Sequence, residues 1–274
     1  MRAKALAAES RLRLAAAGIE SPAFEAEYLV RAAAGIGRAA FFLDPELDDD
    51  ATCQVFELVA RRMQREPAAY VTGEREFWGL SFSVGPGVLV PRPETELLVE
   101  LAAADGVARH DGTVIVDVGT GSGCVAVAVS RELPKARVVG IDISEEALAF
   151  ASLNARRHEA RVRFVRGDLS NCVGRASIVL ANLPYIATAE IDALEPEVSR
   201  WEPRVALDGG GDGFDLVRRL VADCAERIRP ALLALEVGYG MAATARSIVE
   251  AHGAVASVHR DLGGVDRVVC ARWL

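Results

Sequence analysis

"TVIVDVGTGSGCVAVAVSRELPKARVVGID" runs from Thr113 to Asp142. It opens on a nearly continuous apolar run, the pattern of a parallel strand covered on both faces. The run ends in Gly119-Thr120-Gly121-Ser122-Gly123, a glycine turn at the start of a helix. Glycines at such a place permit a tight turn and let a ligand approach the backbone. The spacing is G-x-G-x-G, not the G-x-G-x-x-G of most dinucleotide folds. A second apolar strand, "ARVVGID", follows and closes on Asp142.

The same texture continues toward the C-terminus in "VRFVRGD", "ASIVLAN" and "ALLALEVG", with helical stretches between several of them. This alternation predicts a doubly wound α/β sheet. "VASVHRD" and "DRVVCARW" lie close together around Gly263-Gly264 and predict a terminal antiparallel hairpin. The first third reads as helices instead. Ser21 is placed as an N-cap, Pro22 as a first helical residue and Gly35 as a stop. In "ATCQVFELVARRMQREP", Phe56, Val59 and Met63 share one helical face, and Pro67 ends the pattern. "FWGLSFSVGPGVLVPRPE" alternates about Gly85-Pro86-Gly87 and predicts a hairpin or extended linker. After Pro91 and Pro93, "ETELLVELAAADG" opens a helix with acidic residues in its first turn. The expected organisation is a helical domain over 1–74, a β-hairpin linker over 75–93 and an α/β domain over 94–274.

Composition narrows the function classes. The chain has 274 residues, 51% hydrophobic and 26% charged, with net charge −8 and a pI near 5.2. Such a surface disfavours loose binding to a phosphate backbone. Five scattered cysteines with no C-x-x-C pair indicate neither a disulfide framework nor a zinc knuckle. The four histidines (His110, His158, His252, His259) have no partner at recognisable spacing, so neither a metal site nor a Ser-His-Asp arrangement is expected. Glu9, Arg11 and Arg13 break the alanine-rich start, which leaves no signal-peptide core. No apolar run reaches the ~18 residues of a membrane span. A reduced, cytoplasmic setting is the expectation.

Two candidate sites follow. Asp142 lies about 20 positions beyond Gly123, the distance expected of a carboxylate on a ribose diol. It also has an alternative reading as a helix cap, for which Ser144 is better placed. Asp168, at the end of "VRFVRGD", suits an adenine amino group, with Leu169 against the ring, although "GDLS" is equally an ordinary turn. An adenosine-bearing cofactor fits this set. S-adenosylmethionine fits better than NAD, since it has no pyrophosphate to demand a helix N-terminus.

The second site is Asn182-Leu183-Pro184-Tyr185, where a buried strand stops abruptly. A nitrogen conjugated to a carbonyl or a ring is a poor nucleophile, because its lone pair is delocalised. A site that methylates it must hold both N–H bonds and aim the remaining lobe at the methyl donor. The Asn182 side-chain oxygen accepts one N–H and the Leu183 carbonyl the other. Pro184 forces the preceding residue into an extended conformation, and Tyr185 offers a flat stacking face. Catalysis then comes from positioning and fixed dipoles. A plain strand-to-turn junction is the bland alternative.

Asn-x-Pro-Tyr after a fourth strand resembles the signature of amino-methyltransferases acting on adenine, cytosine and glutamine amides. "PAAYVTGEREFWGL" (Pro67 to Leu80), "VLVPRPETELLVE" (Val88 to Glu100), "EPRVALDGGGDGFD" (Glu202 to Asp215) and the closing "DLGGVDRVV" narrow the resemblance. They are similar to the bacterial release-factor glutamine methyltransferases, the PrmC/HemK family. That resemblance implies a Rossmann-like class I methyltransferase sheet with a C-terminal antiparallel hairpin, behind a small helical bundle and a β-hairpin linker. It implies S-adenosylmethionine bound by Gly119 to Gly123 and Asp142, with Asn182 between cofactor and substrate. Phe77 and Trp78 would line the mouth, and Arg92 and Glu94 would sit near the methionine end. The implied substrate is the glutamine of the Gly-Gly-Gln loop in peptide chain release factors, methylated at N5, with the N-terminal helices docking the rest of that protein. A monomer without nucleic acid or membrane partners is expected.

Two residues depart from the family pattern: Leu183 replaces a proline, and Leu169 an aromatic residue of some members. An RNA or DNA adenine methyltransferase is the competing reading, and an NAD-dependent oxidoreductase or silent binding module the non-methylating one.

Overall fold

Alternating apolar side chains build two cores from one set of strands. Val116, Val118, Val179, Ala181, Leu233 and Leu235 are buried in one cluster, and Ile115, Ile178, Leu180, Leu232 and Ala234 in another. Successive side chains of a strand point to opposite faces, so a continuous apolar run covers both sides of a sheet.

The computed structural model describes residues 1–273 and divides into two units. The first is Met1–Glu74 with Glu195–Trp201; the second is Arg75–Leu194 with Glu202–Leu274. The first unit holds α1 (Ala3–Ala16), α2 (Pro22–Ala34), α3 (Arg38–Phe42), α4 (Asp49–Met63) and α5 (Ala68–Thr72). Leu6, Leu14, Leu29, Val55 and Val59 are fully buried in it, each worth about 1.5–3 kcal/mol in transfer terms. Pro22 and Gly35 bound α2 as expected, Gly35 with a left-handed φ of 62°. Ser21 makes no side-chain cap bond. The buried face of α4 is Val55, Val59 and Arg62, not Phe56, Val59 and Met63. The helix starts at Asp49, with Asp48 accepting from Ala51 N at 2.8 Å. Phe56 lies under Arg13, whose guanidinium carbon is 4.6 Å from the ring centroid.

A hairpin of β1 (Glu74–Phe77) and β2 (Leu80–Ser83) begins at the last residue of the first segment and lies otherwise in the second unit. Its turn is Trp78-Gly79, with φ of 52° and 66°, not the Gly85-Pro86-Gly87 segment. Positive φ at both central residues suits the twist of a two-residue hairpin. Trp78 is held there by N–H bonds to Glu96 (2.7 Å) and from its indole to Glu132 (2.8 Å).

Then come α6 (Glu96–Ala104), β3 (Val114–Val118), α7 (Cys124–Glu132), β4 (Arg137–Asp142), α8 (Glu145–Arg157), β5 (Val162–Arg166) and β6 (Ile178–Ala181). The short α9 (Pro196–Ser199) belongs to the first unit. It is followed by α10 (Asp215–Asp223), β7 (Leu232–Glu236), α11 (Ala242–Ala251), β8 (Val255–Arg260) and β9 (Asp266–Arg272).

The sheet order is β5-β4-β3-β6-β7-β9-β8. β3 through β7 pair in parallel, and β9 pairs antiparallel with both β7 and β8. The strand order reverses between β3 and β6, and the crevice beyond the carboxyl ends at such a switch point is where α/β sheets bind ligands. Because the strands are parallel, the segments after β3, β4, β5, β6 and β7 leave from one edge.

Candidate active site

The glycine turn is bolted to the neighbouring strand end. Gly119 N and Thr120 N both donate to Ile141 O, at 2.8 and 2.9 Å. Thr120 Oγ1 donates to Asp117 Oδ2 at 2.6 Å, and Ala126 N reaches the same oxygen at 3.2 Å. Asp117 is buried, and burial pushes its carboxyl up to about 7. Gly123 has φ 81°, and a Cβ there would sit 3.0 Å from Ala151 of α8, so the turn packs as closely as it does only because this residue lacks one. Asn154, fully buried, donates to Ser122 O (2.9 Å) and Ser83 O (3.0 Å) and accepts from Ser83 N (2.7 Å). It ties α8, the glycine turn and the hairpin together.

Asp142 accepts from Gly121 N through Oδ2 and from Ser144 N through Oδ1, each at 2.9 Å. Ser144, not Asp142, caps α8, with Oγ accepting from Ala147 N at 3.2 Å. A cavity of about 580 Å³ opens here, within the ~300–1,000 Å³ of small-molecule sites. Gly119, Gly121, Asp142, Asp168, Leu169, Asn182, Leu183 and Pro184 line it. Leu169 holds a φ of 50°, a left-handed conformation uncommon for a branched residue. Asp168 is ion-paired to Arg219 at 2.5 Å.

Asn182 follows β6. Its Nδ2 donates to Thr95 Oγ1 at 3.0 Å, and Oδ1 has no hydrogen-bond donor among the described residues. The Leu183 side chain is buried in the core beside Gly119, so the residue that replaces proline gains an apolar anchor. A strap after Pro203 braces this tip: Ile186 N donates to Leu207 O (3.0 Å) and Gly209 N to Ile186 O (2.8 Å). Tyr185 does not line the cavity; its ring lies against Gly238. Burial first, then the facing Glu236, pushes its phenol above the ordinary value.

Several expected residues lie elsewhere. Phe77 is 1% exposed and packs edge-on against Phe82, with ring centroids 6.0 Å apart. It is core, not mouth, because the turn falls at Trp78-Gly79 and points Phe77 inward. Trp78 packs against the same core. Thr120 and Ser122 are buried behind the glycine turn, and with Gly123 they fall outside the cavity lining. Arg92 and Glu94 do not line it either. Arg92 Nη2 contacts both oxygens of the buried Glu202 at 2.7 Å, so its charge is neutralised there.

Sequence reasoning passed over Thr95 and Glu236. Glu236 had a signal: a carboxylate closing an apolar parallel strand, as Asp142 does. Thr95 had none, since it reaches Asn182 from 87 positions away.

Known proteins agree with this fold. Residues 115–201 match the family described as a methyltransferase domain. A solved methyltransferase from Pyrococcus furiosus aligns with a TM-score of 0.54 over 82% of this chain and 98% of that one, at 14% identity. The sheet and its switch-point crevice are those of a class I methyltransferase.

Residues 5–73 match the family described as the PrmC N-terminal domain. The release factor glutamine methyltransferase of Geobacter sulfurreducens is 42% identical over 94% of this chain and 92% of its own length. That of Koribacter versatilis is 39% identical over 94% of each. The chain belongs to the release factor glutamine methyltransferase family.

Proposed function

We propose that this protein transfers a methyl group from S-adenosylmethionine to the side-chain amide nitrogen (N5) of the glutamine in the Gly-Gly-Gln loop of peptide chain release factors. The observation that carries the reading is Asn182: its amide nitrogen is engaged by Thr95 at 3.0 Å, and its oxygen is left to accept an N–H at the cavity. The donor set fits the cofactor. Each Asp142 oxygen accepts one N–H and keeps acceptor capacity for a ribose hydroxyl, a charge-assisted bond. Leu169 and Ile143 supply apolar surface for an adenine.

When bound, S-adenosylmethionine supplies an electrophilic methyl on a sulfonium sulfur. Asn182 Oδ1 and the Leu183 carbonyl hold the two N–H bonds of the substrate amide. Held so, the nitrogen presents its remaining lobe along one line, and a fixed near-attack geometry replaces a strong base. Tyr185 lies behind the clamp with its ring against Gly238, and burial pushes its phenol further above its ordinary value, so it is not a proton acceptor. The two arginines lining the cavity are both paired with carboxylates, Arg219 with Asp168 at 2.5 Å and Arg204 with Asp208 at 3.6 Å. Neither is left as a phosphate contact, which supports a protein substrate over a nucleic acid. We assign docking of the remaining release-factor surface to the N-terminal helices, where Phe24, Phe42 and Leu43 are exposed.

The test is methyl transfer from labelled S-adenosylmethionine to purified release factor or to naked RNA. Label on the release factor, lost when its Gly-Gly-Gln glutamine is replaced, is the expected result. Label on RNA alone would overturn the proposal.

A further inference from the structure

Glu236 closes β7 and is 4% exposed. Its Oε2 has no hydrogen-bond partner among the described residues. Burying a carboxylate oxygen unpaired costs stability, and such a group calls for an explanation. Its carboxyl accepts a side-chain hydrogen bond from the hydroxyl of Thr95, which is itself 3% exposed. That hydroxyl also accepts from Asn182 Nδ2 at 3.0 Å. Three polar groups therefore form a line from the end of β7 to the tip of β6.

We infer that Glu236 and Thr95 are positioning residues that fix which end of the Asn182 amide faces the substrate. The inference rests on the reading of Asn182 as an acceptor for the substrate amide. Asn oxygen and nitrogen are nearly the same size, so shape alone does not choose between the two flips. Donor and acceptor direction does. An ionised carboxylate only accepts, so the Thr95 proton points to Glu236. The Thr95 lone pair then takes an N–H from Asn182, and Asn182 Oδ1 is turned outward. Protonated Glu236 also donates. The relay is then free to run backward: Glu236 donates to Thr95 Oγ1, the Thr95 hydroxyl donates a hydrogen bond to Asn182 Oδ1, and an NH2 group faces the substrate NH2.

The charge of Glu236 is set by its surroundings. Burial raises its carboxyl to about 7, opposed by the Thr95 bond; Glu94 raises it further, and Arg267 and Arg92 lower it. Tyr185 also faces it. Raised to about 7, this group loses its proton as pH climbs through neutrality, so the outward-oxygen state fills over the same range.

The test uses full-length protein, labelled S-adenosylmethionine and purified release factor, with cofactor affinity and melting temperature measured alongside. Thr95→Val keeps the shape and removes the relay. Its kcat is expected to fall about 100-fold, the lower end for losing one preorganised polar contact, with cofactor affinity unchanged. Thr95→Ser is expected to restore most of that loss. In the native enzyme kcat is expected to rise through about pH 7; in Glu236→Gln that limb disappears. Native turnover in Asn182→Ala would overturn the amide reading and the relay with it. Loss in Asn182→Ala beside native kcat in folded Thr95→Val, or an unchanged pH limb in Glu236→Gln, would overturn the relay alone.

Discussion

Asp142 braces the glycine turn with one carboxylate and has lone pairs to spare. Its oxygens accept N–H bonds from Gly121 and Ser144 at 2.9 Å, which fixes the glycine turn against the end of β4. The lone pairs left over are the ones we propose for a ribose diol. Asp142→Ala is therefore expected to weaken S-adenosylmethionine binding by about 10- to 100-fold, since each hydrogen bond to a charged group contributes roughly 1.5–3 kcal/mol. Isothermal titration checks this, and unchanged affinity would remove Asp142 from the ribose role. Both Asp142 and Asn182 were legible because a polar residue closing an apolar parallel strand stands out in the text of the sequence. Glu236 carries the same mark, but a single carboxylate on a strand does not announce its partner. Thr95 becomes meaningful only when folding brings the turn before α6 against the end of β6, across 87 positions.

At the scale of elements, the strap "LDGGGDG" shows how a loop fixes a loop. A Cβ at Gly209 would lie 2.7 Å from Pro184 O and 2.8 Å from the Tyr185 Cα, closer than real side chains approach. Gly209→Ala is thus expected to displace the Asn182–Tyr185 tip. The expected signature is a drop in kcat with cofactor affinity unchanged, and a stability loss of about 1–3 kcal/mol by urea unfolding, the usual cost of overpacking. Normal kcat would show that the strap does not hold the tip. The sheet itself was readable from its apolar runs, because a strand buried on both faces tolerates little else. The hairpin turn was not. A glycine-proline-glycine stretch advertises a turn, yet the chain reverses at Trp78-Gly79, where Glu96 and Glu132 hold a tryptophan in a left-handed conformation. The buried face of α4 also escaped the pattern, since Arg62 is buried there by pairing with Glu25 at 2.5 Å and Glu197 at 2.8 Å, and an arginine does not read as core.

For the whole molecule, stability against pH is set by two opposed groups of carboxylates. Asp212 is held at about 2, first by its bonds from Arg218, and Glu197, Asp208, Asp223 and Asp261 also lie below their ordinary values. These groups bind protons more weakly folded than unfolded, so their contribution is present above the ordinary carboxylate range and is lost as pH falls through it. Asp117 and Glu236 are raised to about 7, chiefly by burial, and burial also lifts Glu202 above its ordinary value. They bind protons more tightly folded than unfolded, so stability declines as pH rises from their unfolded values of 3.8 and 4.5 toward 7. The two slopes have opposite signs and meet between them. A melting temperature that peaks near about pH 4 to 4.5 and declines from there to about pH 7 is expected. Asp117→Asn removes one of the three raised groups while keeping an oxygen for Thr120 and Ala126, so its alkaline decline is expected to be shallower. A melting temperature that rises steadily to pH 8, or an Asp117→Asn protein with the native slope, would show that the buried carboxylates are not what sets the alkaline side.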